Sequence, residues 1–351
     1  MKRKINNIKP RKIAGLLFNT LVAFLLLFTV SSCGNKQKSG KTNFSKSLTV
    51  NDSIELLTGE IKQDSADASL WKKRAGLFLK NGNIDAAFRD LNKALEINRN
   101  DPELFILLSD IYFTLGDEKA SISSIKKAID LNPNNPDYYL KMAKFKLLMQ
   151  KYETALAFAD KVLTMDPENA QAFYIKAVSN LEQKDTANAL KMMMVAANTD
   201  TSFFAANLNV AVLLDEKNDS TAVIYYKKAL RNKPANLIAE YSLALFYQEL
   251  GQYKKALQTY KNLVSKHPEH AQSYYNQGYI YLTEFLNYPK ALEMFNKAIE
   301  ANPNYTEAVY NLGRTYEAMG DTIKAMEKYR QALKLTTNYP LAIEGLNRLE
   351  E

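Results

Sequence analysis

The sequence predicts an all-α fold, an α-solenoid of about eight stacked helical hairpins, and three observations carry that prediction. From Trp71 onward the chain repeats itself about every 34 residues. Alanine pairs seven apart mark the frame: Ala87 and Ala94, Ala222 and Ala229, Ala291 and Ala298, Ala325 and Ala332. Prolines return at the same phase, at Pro133, Pro167, Pro234, Pro268 and Pro303. A repeat of this length is one hairpin that cannot bury its own apolar face. Copies must stack, giving a continuous core and a long open surface in place of a cleft.

The N-terminal segment, 1–32, reads as an export signal. Lys2, Arg3, Lys4, Lys9, Arg11 and Lys12 precede a charge-free stretch from Ile13, most apolar over 21–30. A helix of roughly 18 uncharged residues at ~1.5 Å each can span a bilayer, so length alone does not separate a retained anchor from a cleaved signal. Asn19 and Thr20 interrupt the run, which suits a signal better. Val30-Ser31-Ser32-Cys33 follows, and Cys33 is the sole cysteine, which excludes an intramolecular disulfide and a cysteine-based metal site. This placement resembles the lipobox of bacterial lipoproteins. The resemblance implies cleavage before Cys33 and acylation there, with a spanning signal anchor as the competing reading. A buried acyl chain contributes ~0.8 kcal/mol per methylene, and two or three chains, as the resemblance implies, hold a protein on a membrane.

Residues 33–50 read as the lipidated cysteine that the resemblance implies and a tether rich in Gly, Ser, Lys and Asn. No acid follows Cys33 within ten positions, so the Asp-type sorting signal and the acidic surface-export tag of some lipoproteins are missing, and the resemblance then implies the outer membrane facing the periplasm. A capping helix is expected over 51–67, where Ile54, Leu57 and Ile61 share a face. The repeats run 68–101, 102–135, 136–169, 170–202, 203–236, 237–270, 271–305 and 306–339. Glycines at 82, 116, 251 and 320 suit the left-handed conformation that ends a helix. The fourth unit lacks such a glycine and a closing proline, and it carries Met192, Met193 and Met194, read as gap-filling core ahead of an adaptable binding surface. The seventh has one extra residue near Leu286. Residues 340–351 read as a closing helix, with Leu341, Leu346 and Leu349 over the last hairpin.

In the eighth unit Val309, Gly313, Tyr316, Gly320, Ala325, Tyr329 and Ala332 stand in order; in the sixth Ala244, Tyr247, Gly251, Ala256, Tyr260 and Pro268 do. This pattern resembles the tetratricopeptide repeat family over about three quarters of the chain. The resemblance implies a right-handed superhelix whose concave surface is lined by the first helix of each hairpin. Positions it places there are Lys72, Phe113, Leu140, Leu147, Tyr174, Leu181, Tyr241, Tyr275, Tyr279 and Tyr310. Aromatics with polar tips make good interface anchors, and the same residues read equally as hairpin core if the frame is one place off. A two-carboxylate clamp known in some members is incomplete here: Lys72 matches, but Gly76 replaces its asparagine, and Asn276 and Asn311 lack basic partners.

The net charge of +8 is misleading as a nucleic-acid signal. Of 46 basic residues, ten lie before Leu48 with no acid among them, leaving 36 against 38 acids in the body. A near-neutral body has no basic footprint for phosphates. His267 and His270 are the only histidines and bracket an ordinary inter-repeat proline, which disfavours a metal site. No nucleophile–base pairing, phosphate loop or glycine-rich fingerprint is present, so neither catalysis nor a cofactor nor a small-molecule substrate is expected. The expectation is a membrane-anchored scaffold in the bacterial envelope that holds a partner protein, as a peptide or helix, in its groove. A self-associating solenoid and a non-catalytic subunit of an envelope enzyme or secretion complex are the alternatives.

Overall fold

The computed structural model describes residues 49–350, and every regular element among them is an α-helix. The chain divides into two compact units, one ending at Thr199 and the other beginning at Asp200. The first holds α1 (Val50–Gln63), then four hairpins: α2 (Ala68–Lys80) with α3 (Ile84–Ile97), α4 (Pro102–Thr114) with α5 (Glu118–Leu131), α6 (Pro136–Leu148) with α7 (Tyr152–Met165), and α8 (Ala170–Glu182) with α9 (Thr186–Thr199). The second holds four more: α10 (Phe204–Asp215) with α11 (Ala222–Asn232), α12 (Leu237–Glu249) with α13 (Tyr253–Lys266), α14 (Ala271–Thr283) with α15 (Tyr288–Ala301), and α16 (Thr306–Ala318) with α17 (Thr322–Leu335). It closes with α18 (Pro340–Glu350). The signal segment, Cys33 and the tether up to Leu48 lie outside the described residues.

Local chemistry sets the helix starts. Thr49 and Asp52 form a reciprocal capping box on α1. Asp67, Asn83, Asp101, Asp117 and Asn135 accept first-turn amides in the first unit, and Asn236, Asn287 and Asp321 do so in the second. Pro102 and Pro136 occupy the first helical position, where a missing N–H costs nothing. The helices are 11 to 14 residues long, too short to persist alone, so packing must hold them.

The predicted small residues are where the helices meet. All eight alanines of the paired frame are fully buried, as are Ala75, Ser109, Ala143, Ala177 and Ala244. Gly278 and Gly313 do the same work at closer range, each facing the ring of Phe295 or Tyr329 on the other helix of its hairpin. Turn glycines 82, 116, 251 and 320 all have φ between +69° and +80°. Elsewhere the left-handed residue is Gln150, Lys184, Asn218 or Leu286, so the fourth hairpin turns on a lysine. Single non-glycine residues tolerate this conformation for about 1–2 kcal/mol, which stacking absorbs.

The two ends differ in detail from the expected caps. Helix α1 stops at Gln63, four residues early, with Leu57 and Ile61 buried and Ile54 half-buried. In α18 the buried residues are Ala342 and Gly345, with Leu346 and Leu349 packed beside them. Leu341 points outward at 36 % exposure, a correction to its expected covering role. Its neighbour Ala342 takes the contact, in one cluster with Tyr310 and Tyr329. Of the methionine run, Met193 is fully buried and Met192 and Met194 are half-buried.

Candidate functional site

Side chains on the first helices differ between the units. In the second unit Tyr241, Tyr275 and Tyr310 stand at equivalent places on α12, α14 and α16. Each ring lies against a second-helix aromatic: Tyr260 at 6.0 Å, Phe295 at 5.9 Å and Tyr329 at 5.5 Å. Each also meets the residue just before the next first helix: His270 at 4.9 Å, Tyr305 at 5.0 Å and Tyr339 at 5.5 Å. Such offset and edge contacts are favourable aromatic geometries.

The hydroxyls pass from hairpin to hairpin. Asn276 Nδ2 donates to Tyr241 Oη at 3.1 Å and to Tyr260 Oη at 3.0 Å. One turn of the array later, Asn311 Nδ2 donates to Tyr275 Oη at 3.2 Å. Arg314 Nη1 donates to Asn311 Oδ1 at 2.9 Å and its guanidinium stands over the Tyr310 ring. Burial raises the phenols of Tyr241, Tyr275, Tyr305 and Tyr310, and Tyr339 is pushed up to about 12 by the same cause. All are neutral at physiological pH. They offer apolar rings and polar tips but no charge.

Solvent access separates these tyrosines. Tyr241, Tyr275 and Tyr279 are half-buried, Tyr279 leaning on Tyr275 at 6.4 Å. Tyr310 is 9 % exposed and belongs to the terminal core cluster with Tyr329 and Ala342, which corrects its placement as groove surface. The closing segment covers it: Ala342, Leu346 and Leu349 of α18 join its cluster, Tyr339 just before the helix meets its ring, and Arg348 of α18 binds Glu317 at 2.7 Å and 2.9 Å.

First-helix residues of the first unit are more charged. Lys72 pairs with Asp101 at 2.6 Å, so its ammonium is already engaged. Lys141 pairs with Asp110, and Lys144 donates to Gln171. Burial, reinforced by nearby Lys141, brings Lys144 down to about 8, against an opposing pull from Asp137. Tyr138 donates to Glu103 at 2.6 Å. Phe113 is half-buried and stacks edge-on against Phe145 at 4.5 Å. Leu181 is also half-buried. Leu140, Leu147 and Tyr174 are 6 %, 5 % and 6 % exposed, so they are packing residues and not groove surface. Their helices bury apolar side chains over a broad face, and these positions fall inside it.

Five residues outside the sequence-predicted set belong to the tyrosine array: His270, Tyr305 and Tyr339 at the hairpin junctions, and Asn276 and Asn311. Their spacing of 35 or 34 residues is readable in the chain. Both asparagines donate to tyrosine hydroxyls in place of a clamped carboxylate, and Asn311, expected to lack a basic partner, has one in Arg314. The histidine nitrogens also have protein neighbours: His270 Nδ1 lies 2.9 Å from Ser273 Oγ, and His267 Nε2 lies 3.4 Å from the Ala235 carbonyl. The assembled surface can bind through shape, aromatic contact and hydrogen bonding.

Family models described as tetratricopeptide repeat match residues 78–145, 141–193, 239–270, 271–305 and 294–327. No curated protein matches the chain significantly. Among solved structures, the C-terminal part of a TPR repeat-containing protein from Cytophaga hutchinsonii aligns with a TM-score of 0.57 at 17% identity, covering 68% of this chain and 98% of that one. YrrB, described as a TPR protein with an unusual peptide-binding site, aligns at 24% identity and a TM-score of 0.48, covering 53% of this chain and 96% of its own. PilW, described as a widely conserved type IV pilus biogenesis factor, aligns at 16% identity and a TM-score of 0.49, covering 57% and 94%.

Proposed function

The chain belongs to the tetratricopeptide repeat family, and from that premise we propose that it is a non-catalytic scaffold of the bacterial cell envelope, lipid-anchored through Cys33. Its partner is a protein, engaged as a peptide or helix along the first-helix surface. The observation that carries this reading is the array of half-buried tyrosines on α12 and α14, Tyr241, Tyr275 and Tyr279. The rings of Tyr241 and Tyr275 are fixed by neighbours on both sides and Tyr279 leans on Tyr275, so little rotamer freedom is left to lose on binding. Interface hot spots favour such pre-ordered aromatic anchors.

Anchoring is supported by the sequence alone: a basic start, an apolar run and a lone cysteine after small residues. No helix among the described residues is long and apolar enough to cross a membrane. The periplasmic face of the outer membrane is the proposed location, on the absence of an acid within ten positions after Cys33.

Affinity capture of the full chain from detergent-solubilised membranes tests the scaffold reading. A stoichiometric partner retained by the native chain and lost with Tyr275→Ala plus Tyr279→Ala supports it. Capture of none, or equal capture by both proteins, refutes it. Cys33→Ser tests the anchor, which predicts loss of acylation and of membrane retention. Self-association is the competing reading, favoured by the exposed Leu341 and Ile343 of α18. A mass that stays monomeric across protein concentration removes it.

A further inference from the structure

In the second unit, large apolar side chains crowd the turns inside two consecutive hairpins. Phe285 (41 % exposed) and Leu286 (62 %) tip the turn between α14 and α15, and Met319 (48 %) and Ile323 (83 %) mark that between α16 and α17. Because α16 packs on both α15 and α14, these two turns are neighbours on one edge of the unit. Leu286 also holds φ at 50°, a conformation that the other turns give to glycine or to a polar residue such as Gln150, Lys184 or Asn218. A large apolar side chain that is both water-exposed and left-handed satisfies neither solvation nor backbone preference. Unexplained exposure of this kind marks a surface that meets something apolar.

Cations frame these tips. Lys255 lies over the Tyr247 ring at 5.6 Å, Lys290 over Tyr281 at 5.3 Å and Lys324 over Tyr316 at 5.3 Å. The pairing recurs in three successive hairpins, and Lys254 adds a fourth exposed ammonium. The acids of the same three turns are Glu249, Glu284 and Asp321, the last held by Lys324 at 2.9 Å, so four lysines stand against three carboxylates. Apolar tips, tyrosine bodies and lysine heads together suit the lipid–water boundary, where the tips enter acyl chains and the ammonium groups stay among phosphates.

We propose that this turn edge of the second unit rests on a bilayer bearing anionic headgroups, with Phe285, Leu286, Met319 and Ile323 entering its outer acyl layer. The proposal rests on the reading that the chain is membrane-attached, which keeps a bilayer always within reach. Sixteen positions separate Cys33 from Thr49, a contour of at most ~3.6 Å each. Attachment raises the effective concentration of the surface, so four shallow side chains suffice. Since the turns lie at helix ends, the first-helix tyrosines stay open to a partner.

The test uses the full chain with Leu286→Cys or Asn304→Cys, both exposed positions, the second at a turn between hairpins. Each is labelled with an environment-sensitive dye in vesicles of phosphatidylethanolamine and phosphatidylglycerol. At 286 the emission should shift to the blue and aqueous iodide should quench roughly threefold less than at 304. Equal quenching at the two positions overturns the proposal. So does protection at 286 that vanishes as protein is diluted over more vesicles, the sign of a second copy. The unsubstituted chain scores the anchor separately, since an acylated Cys33 takes no dye; if it does take dye, both variants are remade with Cys33→Ser.

Discussion

The Tyr226 hydroxyl donates to Asp215 Oδ2 at 2.8 Å, tying the middle of α11 to the end of α10. Burial raises this carboxyl from 3.8 to about 6; the Tyr226 bond opposes the rise, and Glu249 and Glu216 add to it. A carboxyl raised on folding binds a proton more readily in the native state. Its contribution to stability is complete below about 4 and is lost as pH climbs through about 6. Partial solvent contact reduces the loss to about 1–2 kcal/mol, from the ~3 that an unscreened shift represents. Urea unfolding should therefore show Asp215 weakening the second unit between pH 5 and pH 7.5, against the opposite trend of His270, whose imidazole is pushed down by burial. Asp215→Asn, which keeps an acceptor for Tyr226, should remove that weakening.

Arg74 holds Asp90 with two hydrogen bonds, of 2.7 Å and 2.8 Å, and reaches Thr58 of α1 at 2.9 Å. The guanidinium also lies over Trp71. Both partners are largely buried, so Arg74→Met strands a carboxylate away from water. A loss of about 3–5 kcal/mol is expected. Amide exchange in α1 should accelerate beyond that of α4, because the Thr58 contact goes with the arginine. Unchanged protection of α1 would mean that its apolar contacts suffice.

Two glycine substitutions should have opposite signs. A Cβ at Gly278 would lie 2.8 Å from the Phe295 ring, whereas one at Gly76 meets nothing within 4 Å. Gly278→Ala should destabilise by about 1–3 kcal/mol through overpacking. Gly76→Ala, in the middle of α2, should stabilise by ~0.5–1 kcal/mol through helix propensity alone. Chemical denaturation midpoints of the two variants decide the matter.

Tyrosines 279 and 310 should separate binding from stability. Tyr310→Ala empties a covered site and should cost ~3 kcal/mol or more. Tyr279→Ala removes a half-exposed ring, so it should change stability by less than ~1 kcal/mol yet lower partner capture about tenfold. Thermal unfolding and quantitative capture on the same preparations read both effects. Loss of capture only with Tyr310→Ala would move the binding surface elsewhere.

The helical period was legible because it is set by geometry that recurs: Ala87 and Ala94 must be small wherever helices cross, and Pro133 or Pro268 must end a helix wherever it falls. Which ring of a first helix faces water was not. Leu140, Tyr174 and Tyr310 share their positions with Lys72, Tyr241 and Tyr275, yet their burial depends on what the neighbouring hairpin lays over them. Tyr310 is covered because α18 brings Ala342, Leu346 and Leu349 into its cluster, and no periodicity announces that. Asn276 and Asn311 were visible but misdirecting, since an asparagine beside tyrosines serves a carboxylate or a phenol equally well until the hydroxyls are placed. Lys184 at φ 65° shows the same limit, a turn completed by a residue with no preference for it.

Helix α18 keeps the register of the first helices before it. Tyr339 stands where Tyr305 and His270 stood, and Gly345 occupies the place of Asn311, its backbone pressed to the Tyr329 ring. It docks as the first helix of a further module would. A designer placing a further helix against α18 would need no new seam: asparagine at 345 would offer Tyr310 the donor its counterparts have, provided Tyr329 shifts. A grafted second helix would then find its footing already laid.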